Sequence, residues 1–176
     1  QVETLHPFAR AIVGDYAVFT CASTMVETAE RLTQDDGDLD TTESPQQYLL
    51  LYGALAALAR RRHAPGLVLD SYLLRALALA GWAASCYDCA RCGASGPHAA
   101  FHVQAGGAVC AGCRPAGAVD VEPGTMALLG ALLSGDWGVA DVSAERDRAQ
   151  ASGIVSAYLT WHLERRLRSL SLVERA

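Results

Sequence analysis

Two C-x-x-C pairs, Cys89 with Cys92 and Cys110 with Cys113, stand seventeen residues apart in this chain. That interval falls within the C-x2-C-x15-20-C-x2-C spacing of zinc sites. Four thiolates satisfy tetrahedral Zn(II), and a two-residue spacer lets one tight turn aim both sulfurs at a single ion. Gly93 directly follows Cys92, where a turn whose N–H groups face sulfur needs a residue that tolerates positive φ. Between the pairs, "AAFHV", "QAGGA" and "VC" read as a small hairpin turning at Gly106 and Gly107. The layout is that of a zinc ribbon. An insert of 25 residues has too little apolar surface to hold itself together, so the metal must supply much of its folding free energy. A shell of four thiolates leaves no open position for water or substrate, so the expected Zn(II) is structural rather than catalytic.

The remaining cysteines and histidines read as bystanders. Cys86 and Cys89 also form a C-x-x-C, and the Gly after Cys92 favours the Cys89 frame, while spacing alone leaves Cys86 open as a substitute ligand. Cys21 lies on an apolar helix face and reads as a small core residue. His98 and His102 fall inside the insert and read as surface or ribbon residues, since four thiolates need no imidazole. A thiol-redox role is disfavoured, because redox pairs do not come as matched doublets around a hairpin.

The rest of the chain reads as helices. Apolar residues recur at helical spacing from Pro7 to Leu32 (Phe8, Ile12, Val13, Tyr16, Phe19, Ala22, Met25, Val26 and Ala29), which predicts one long amphipathic helix. An acidic run with Asp35, Asp36, Asp38 and Asp40 reads as a solvated loop without calcium-loop spacing. Ser44 as cap, Pro45 at the first helical position and Gln47 completing a capping box start a second helix, running to about Arg62. Leu67 to Ala80 is apolar on nearly every side and predicts a central helix ended by Gly81. A short helix from Thr125 to Leu133 closes at Gly135, and a last one from Ser152 to Leu170 carries Val155, Leu159, Leu163, Leu167 and Leu170 on one face. The fold class expected is mainly α: about five helices over residues 1–176, with a four-cysteine zinc ribbon or β-hairpin module inserted at 86–116.

Several function classes fall away. With 176 residues, 51% hydrophobic, the chain has enough core for one domain. Its longest apolar stretch is broken by Asp70 and Arg75, so no membrane span is expected, nor is a signal peptide visible; a soluble intracellular domain is the expectation. The net charge of −5 argues against coating nucleic acid by bulk charge. No P-loop, nucleophile elbow, zincin or dinucleotide motif occurs, and His162 reads as a packing histidine, so the chain does not read as an enzyme. Two basic clusters, Arg60, Arg61 and Arg62 beside His63, and Arg165, Arg166 and Arg168, sit near helix ends; they read as helix termination, or as a face for phosphate or acidic peptide.

The strings "VLDSYLLRALALAGW", "CARCG", "FHVQAGGAVCAGCRPAG" and "YLTWHLERRLRSL" resemble the carboxy-terminal region of the RecO family of DNA repair proteins, in its actinobacterial branch. The resemblance covers nearly the whole chain and matches Cys89, Cys92, Cys110 and Cys113 to that family's zinc ligands. It implies a cytoplasmic, nucleoid-associated recombination mediator that binds and anneals single-stranded DNA, engages the tail of single-strand binding protein, and with RecR helps load RecA. It also implies an N-terminal OB domain, whose strand pattern is absent from these residues; a chain opening on Gln1 reads as a fragment. The expected role is therefore a non-catalytic scaffold whose apolar groove, flanked by arginines, receives an acidic, aromatic-tipped tail. The alternative is a zinc-ribbon transcription or translation factor reading duplex nucleic acid, for which the insert offers only Arg91, with Arg114 just after it.

Overall fold

The computed structural model describes residues 8–34 and 43–163. Among them, seven helices and three short strands follow in order: α1 (Phe8–Ile12), α2 (Tyr16–Gln34), α3 (Glu43–Ala59), α4 (Pro65–Leu79), β1 (Ala100–His102), β2 (Gly107–Ala108), β3 (Val119–Asp120), α5 (Pro123–Ser134), α6 (Trp137–Ala140) and α7 (Glu145–Leu163). The chain is mainly helical, as its periodicity implies. No described helix is long and apolar enough to cross a membrane.

A helix apolar on all sides is stable only when neighbours cover it, and α4 is that helix. It packs against α2, α3, α5 and α7, and Leu73, Ala76 and Leu77 are wholly buried. Pro65 sits at its start, where a missing N–H costs nothing. Two of its buried polar side chains find partners: the Ser71 hydroxyl donates to the Leu132 carbonyl at 2.7 Å, and Asp70 accepts from Ser152 at 3.4 Å. On α5, Leu128, Leu129 and Leu132 close the core against it, and Gly135 ends α5 at φ 79°.

The long helix expected from Pro7 to Leu32 is two helices. Asp15 breaks it by accepting a hydrogen bond from the Val18 N–H at 3.2 Å, capping α2. The buried stripe is only partly the expected one: Ile12, Ala22 and Met25 face the core together with Val18, Cys21 and Leu32, while Val13, Tyr16, Phe19 and Val26 are exposed. Two apolar stripes run along this segment at helical spacing, and packing against α4 selected one of them.

Ser44 does not precede the helix as a cap would. Helix α3 begins at Glu43, so Ser44 and Pro45 occupy its first turn, where N–H groups are free anyway. The Gln47 amide instead donates to the Ala76 carbonyl of α4 at 2.9 Å. Helix α7 starts at Glu145, seven residues before Ser152, through the polar run "ERDRAQ". Leu167, Leu170 and the acidic residues Asp35, Asp36, Asp38 and Asp40 lie outside the described residues.

The cysteine segment forms a three-stranded antiparallel sheet in the order β2-β1-β3, with Phe101 opposite both Ala108 and Val119. The hairpin turn is a short 3-10 turn at Val103–Ala105 closed by Gly106 at φ 86°. The third strand, at Val119–Asp120, lies past residue 116. Strand residues alternate between two faces. Phe101 and Ala108 therefore enter the core of the bundle, while Ala100 and Val109 pack with Cys89, Cys110 and Cys113 in a small core of their own.

Candidate metal centre

Each cysteine pair sits on its own turn. In the first, the Gly93 N–H donates to the Cys89 carbonyl at 2.8 Å, and Gly93 adopts φ 72°, the role its position after Cys92 implied. In the second, the Cys113 N–H donates to the Cys110 carbonyl at 3.1 Å. The turns are held face to face by the hairpin: Ala90 N–H donates to Ala108 O at 2.8 Å, and Val109 N–H to Ala100 O at 2.9 Å. Gly107, at φ 150°, lies directly on the Ser85 backbone, where an added Cβ would fall 2.2 Å from the Ser85 carbonyl oxygen. Across this contact Ser85 exchanges two backbone hydrogen bonds, donating to Gly106 O at 2.9 Å and accepting from Ala108 N–H at 2.7 Å.

The sulfurs of Cys89, Cys92, Cys110 and Cys113 all lie within 4.8 Å of one another, and the Sγ atoms of Cys92 and Cys110 are 3.8 Å apart. Zinc–sulfur bonds of about 2.3 Å in a tetrahedron place sulfurs about 3.8 Å from each other. The donor set and spacing therefore fit a thiophilic divalent ion. Cys89 is buried, Cys110 and Cys113 are half-buried and Cys92 is exposed, so the cluster sits at the surface with its base on the sheet.

The sulfurs are electrically unequal. The Cys110 N–H donates to Cys89 Sγ at 3.4 Å, and this bond, helped by the Arg91 and Cys92 amides, outweighs burial and draws the Cys89 thiol down to about 6. Cys113 is pushed up to about 12, chiefly because its proton is shared with the Cys92 and Cys110 sulfurs. Four thiolates this close repel one another unless a cation sits among them.

Cys86 is not in the cluster. It is buried in the bundle core, its thiol directed at the Ala84 carbonyl at 3.9 Å, and burial pushes it up to about 11. Cys21 is likewise a core thiol, pushed up to about 12 by burial and then by the carboxylates of Asp70 and Asp15. His98 turns to the Ala94 carbonyl at 2.8 Å, and His102 accepts the Ala105 N–H at 3.1 Å, capping the 3-10 turn.

The arginines divide. Arg60, Arg61 and Arg62 are exposed just past α3. Arg61, at φ 49°, reaches across to Asp15 at 2.7 Å. Arg165, Arg166 and Arg168 lie outside the described residues. Arg91 donates to the Cys113 carbonyl at 3.1 Å, tying one turn to the other, and Arg114 pairs with Asp120 at 2.6 Å.

One residue escaped the sequence reading. Arg75 is exposed on the otherwise buried α4 and carries no ion pair among the described residues. It stands at a trough of 670 Å3 between α3 and α4, walled by Leu49, Leu50, Ala54, Leu79, Leu133 and Trp137. Tyr72 contributes to the wall and buries its hydroxyl without a partner among the described residues. The only signal in the sequence was a lone Arg inside an apolar helix.

Comparison with known proteins gives one consistent answer. The family model described as "Recombination protein O C terminal" matches residues 13–171. The chain is 53% identical over 176 residues to the DNA repair protein RecO of Thermobifida fusca, covering 100% of this chain and 71% of that relative. It is 53% identical over 175 residues to the DNA repair protein RecO of Streptomyces coelicolor, covering 99% of this chain and 69% of the relative. A Nocardioides DNA repair protein RecO is 50% identical over 178 residues, with coverage of 99% and 71%. No solved structure matches.

Proposed function

The chain belongs to the RecO family, whose members serve DNA repair and recombination, and from that premise we propose that it is the partner-docking scaffold of a non-catalytic recombination mediator, cytoplasmic and nucleoid-associated. In this reading Cys89, Cys92, Cys110 and Cys113 hold a structural Zn(II) within the module at 86–116, and the ion contributes only cohesion. The module seats Phe101 and Ala108 in the bundle core, so holding its turns together also stiffens the surface that α3 and α4 present.

The observation that carries the docking role is the trough at Arg75. An apolar channel with one guanidinium unpaired among the described residues suits a peptide that ends in an aromatic residue preceded by carboxylates, which is the chemistry of the single-strand binding protein tail. Arg gives a carboxylate two parallel N–H bonds, and the walls of Leu49, Leu79 and Trp137 take the ring. Arg60 and Arg62, exposed near one end of α3, add positive charge; Arg165, Arg166 and Arg168 remain candidates for the same role. The mediator's strand annealing, its contact with RecR and its help in loading RecA are assigned to the assembled protein, together with the OB domain that the resemblance implies.

The duplex-reading alternative is weakened by two bonds. Arg91 is spent on the Cys113 carbonyl and Arg114 on Asp120, so the ribbon offers duplex phosphates little free charge.

Fluorescence anisotropy with a labelled tail peptide of single-strand binding protein tests the docking role. Arg75→Glu is expected to weaken binding at least tenfold, as a lost charge-assisted pair implies. Unchanged affinity would reject the trough.

A further inference from the structure

Where the metal module meets the last helix, a cleft of 890 Å3 opens between Trp82, the 3-10 turn after β1, residues 116 and 117, and α7. Its walls are aromatic. The Trp82 indole stacks on the His162 ring with centroids 4.9 Å apart and planes within 20°, and Tyr158 backs His162 edge-on at 4.5 Å. The Tyr158 hydroxyl donates to the Trp82 carbonyl at 3.3 Å, so the stack is anchored at both ends. Yet Trp82 is still 38% exposed, and Trp161, one residue before His162, is 51% exposed. Two indoles beside one cleft are a costly way to meet water.

The polar groups of the cleft are two imidazoles, an amide and a hydroxyl. His102 uses Nδ1 to accept the Ala105 N–H, so in its neutral ring the proton sits on Nε2, on the side of Gly117 in the cleft wall. Gln104 and Thr160 add an amide and a hydroxyl, and His162 Nε2 has no partner among the described residues. Among the described residues no carboxylate lines the cleft, in a chain whose net charge is −5.

We propose that this cleft is a base-stacking subsite that holds a nucleobase of single-stranded DNA against Trp82 and Trp161, its edge read by His102 and Gln104. The proposal rests on the reading that the chain acts on DNA. Every base presents a π-face, so aromatic platforms bind single strands with little sequence preference. An acidic peptide fits less well, because among the described residues the lining contains no Arg or Lys to receive its carboxylates; such a peptide suits the Arg75 trough better. The absence of carboxylates removes the repulsion a passing phosphate would meet.

The test uses tryptophan emission from the whole chain in a Trp137→Phe background, which leaves Trp82 and Trp161 as reporters. Titration with an oligo-dT strand is expected to quench this emission. Trp161→Ala should weaken oligo-dT binding about 5- to 150-fold, the worth of one stacked base, and Trp161→Phe should restore most of it. Trp161 is half exposed, so neither change threatens the fold. Emission unmoved by saturating oligo-dT, or equal affinity in Trp161→Ala and the parent, would overturn the subsite, as would quenching by an acidic aromatic peptide in preference to oligo-dT. Tail-peptide binding that still depends on Arg75, measured in protein that retains Trp137, would show that the subsite alone had failed.

Discussion

The backbone N–H of Cys110 points at the sulfur of Cys89 from 3.4 Å, joining the two cysteine turns across the sheet. This bond shows why the spacing works. The hairpin returns the chain so that the second pair's first amide lands on the first pair's first sulfur. The fold thus brings four sulfurs together in a site that could hold a metal ion, and an ion bound there would add its binding free energy to the folding of the module.

Removing one ligand should detach the module without dissolving the bundle. For Cys89→Ser and Cys113→Ser the expected outcome is loss of the metal, collapse of amide protection at Phe101 and Ala108, and a thermal midpoint lowered by about 10 °C or more. Far-ultraviolet circular dichroism should keep most of its helical signal, because the bundle core is built mainly from the helices around α4, with Phe101 and Ala108 as the strands' share. Cys86→Ala, outside the cluster, should keep the full metal content and cost only about 1 kcal/mol. Hydrogen exchange and metal analysis of the three variants check this.

Gly107 has no room for a side chain. Its Cβ would collide with the Ser85 carbonyl oxygen at 2.2 Å, and both partners are backbone, so neither can swing aside. Gly107→Ala should destabilise by about 3 kcal/mol or more and lower metal affinity alongside. Gly112, whose Cβ would meet nothing within 4 Å, serves as the control: Gly112→Ala should stay within about 0.5 kcal/mol. Thermal melts with bound-metal assays separate the two.

Acid should weaken the junction of α1, α2 and the end of α3. The Arg61 guanidinium and the Val18 N–H hold the Asp15 carboxyl below its ordinary value. A depressed carboxylate adds stability above its unfolded pKa and loses it as pH falls through the folded one. The gap in thermal midpoint between wild type and Asp15→Asn should therefore be present at pH 7 and close as pH drops from about 4 toward 2. Arg61→Ala should remove the same stability, and Arg60→Ala or Arg62→Ala should not. A gap that widened in acid would refute the assignment.

The four-cysteine cluster was legible because its information is local. Two-residue spacers, a Gly after Cys92 and paired glycines before Cys110 each state a turn, and turns survive whatever the tertiary context. Helix α4 was legible for the opposite reason: a segment apolar on every face has only one place to go. What stayed hidden depended on neighbours. The break at Asp15 is a capping bond that the continuing apolar period masks, and the choice between the Val18–Met25 and Tyr16–Phe19 stripes is made by α4. Helix α6 is one turn long, and β3 is two residues with meaning only beside β1. Arg75 became visible as a site residue only when α3 and α4 formed walls around it.

The account stands on a metal ion gripped by four sulfurs, so the most direct measurement is elemental analysis of freshly purified, reduced protein, before and after chelation. One equivalent of zinc per chain is expected, with amide protection across β1 and β2 lost when a chelator strips it. A chain that holds no metal, yet protects those strands fully, would contradict it.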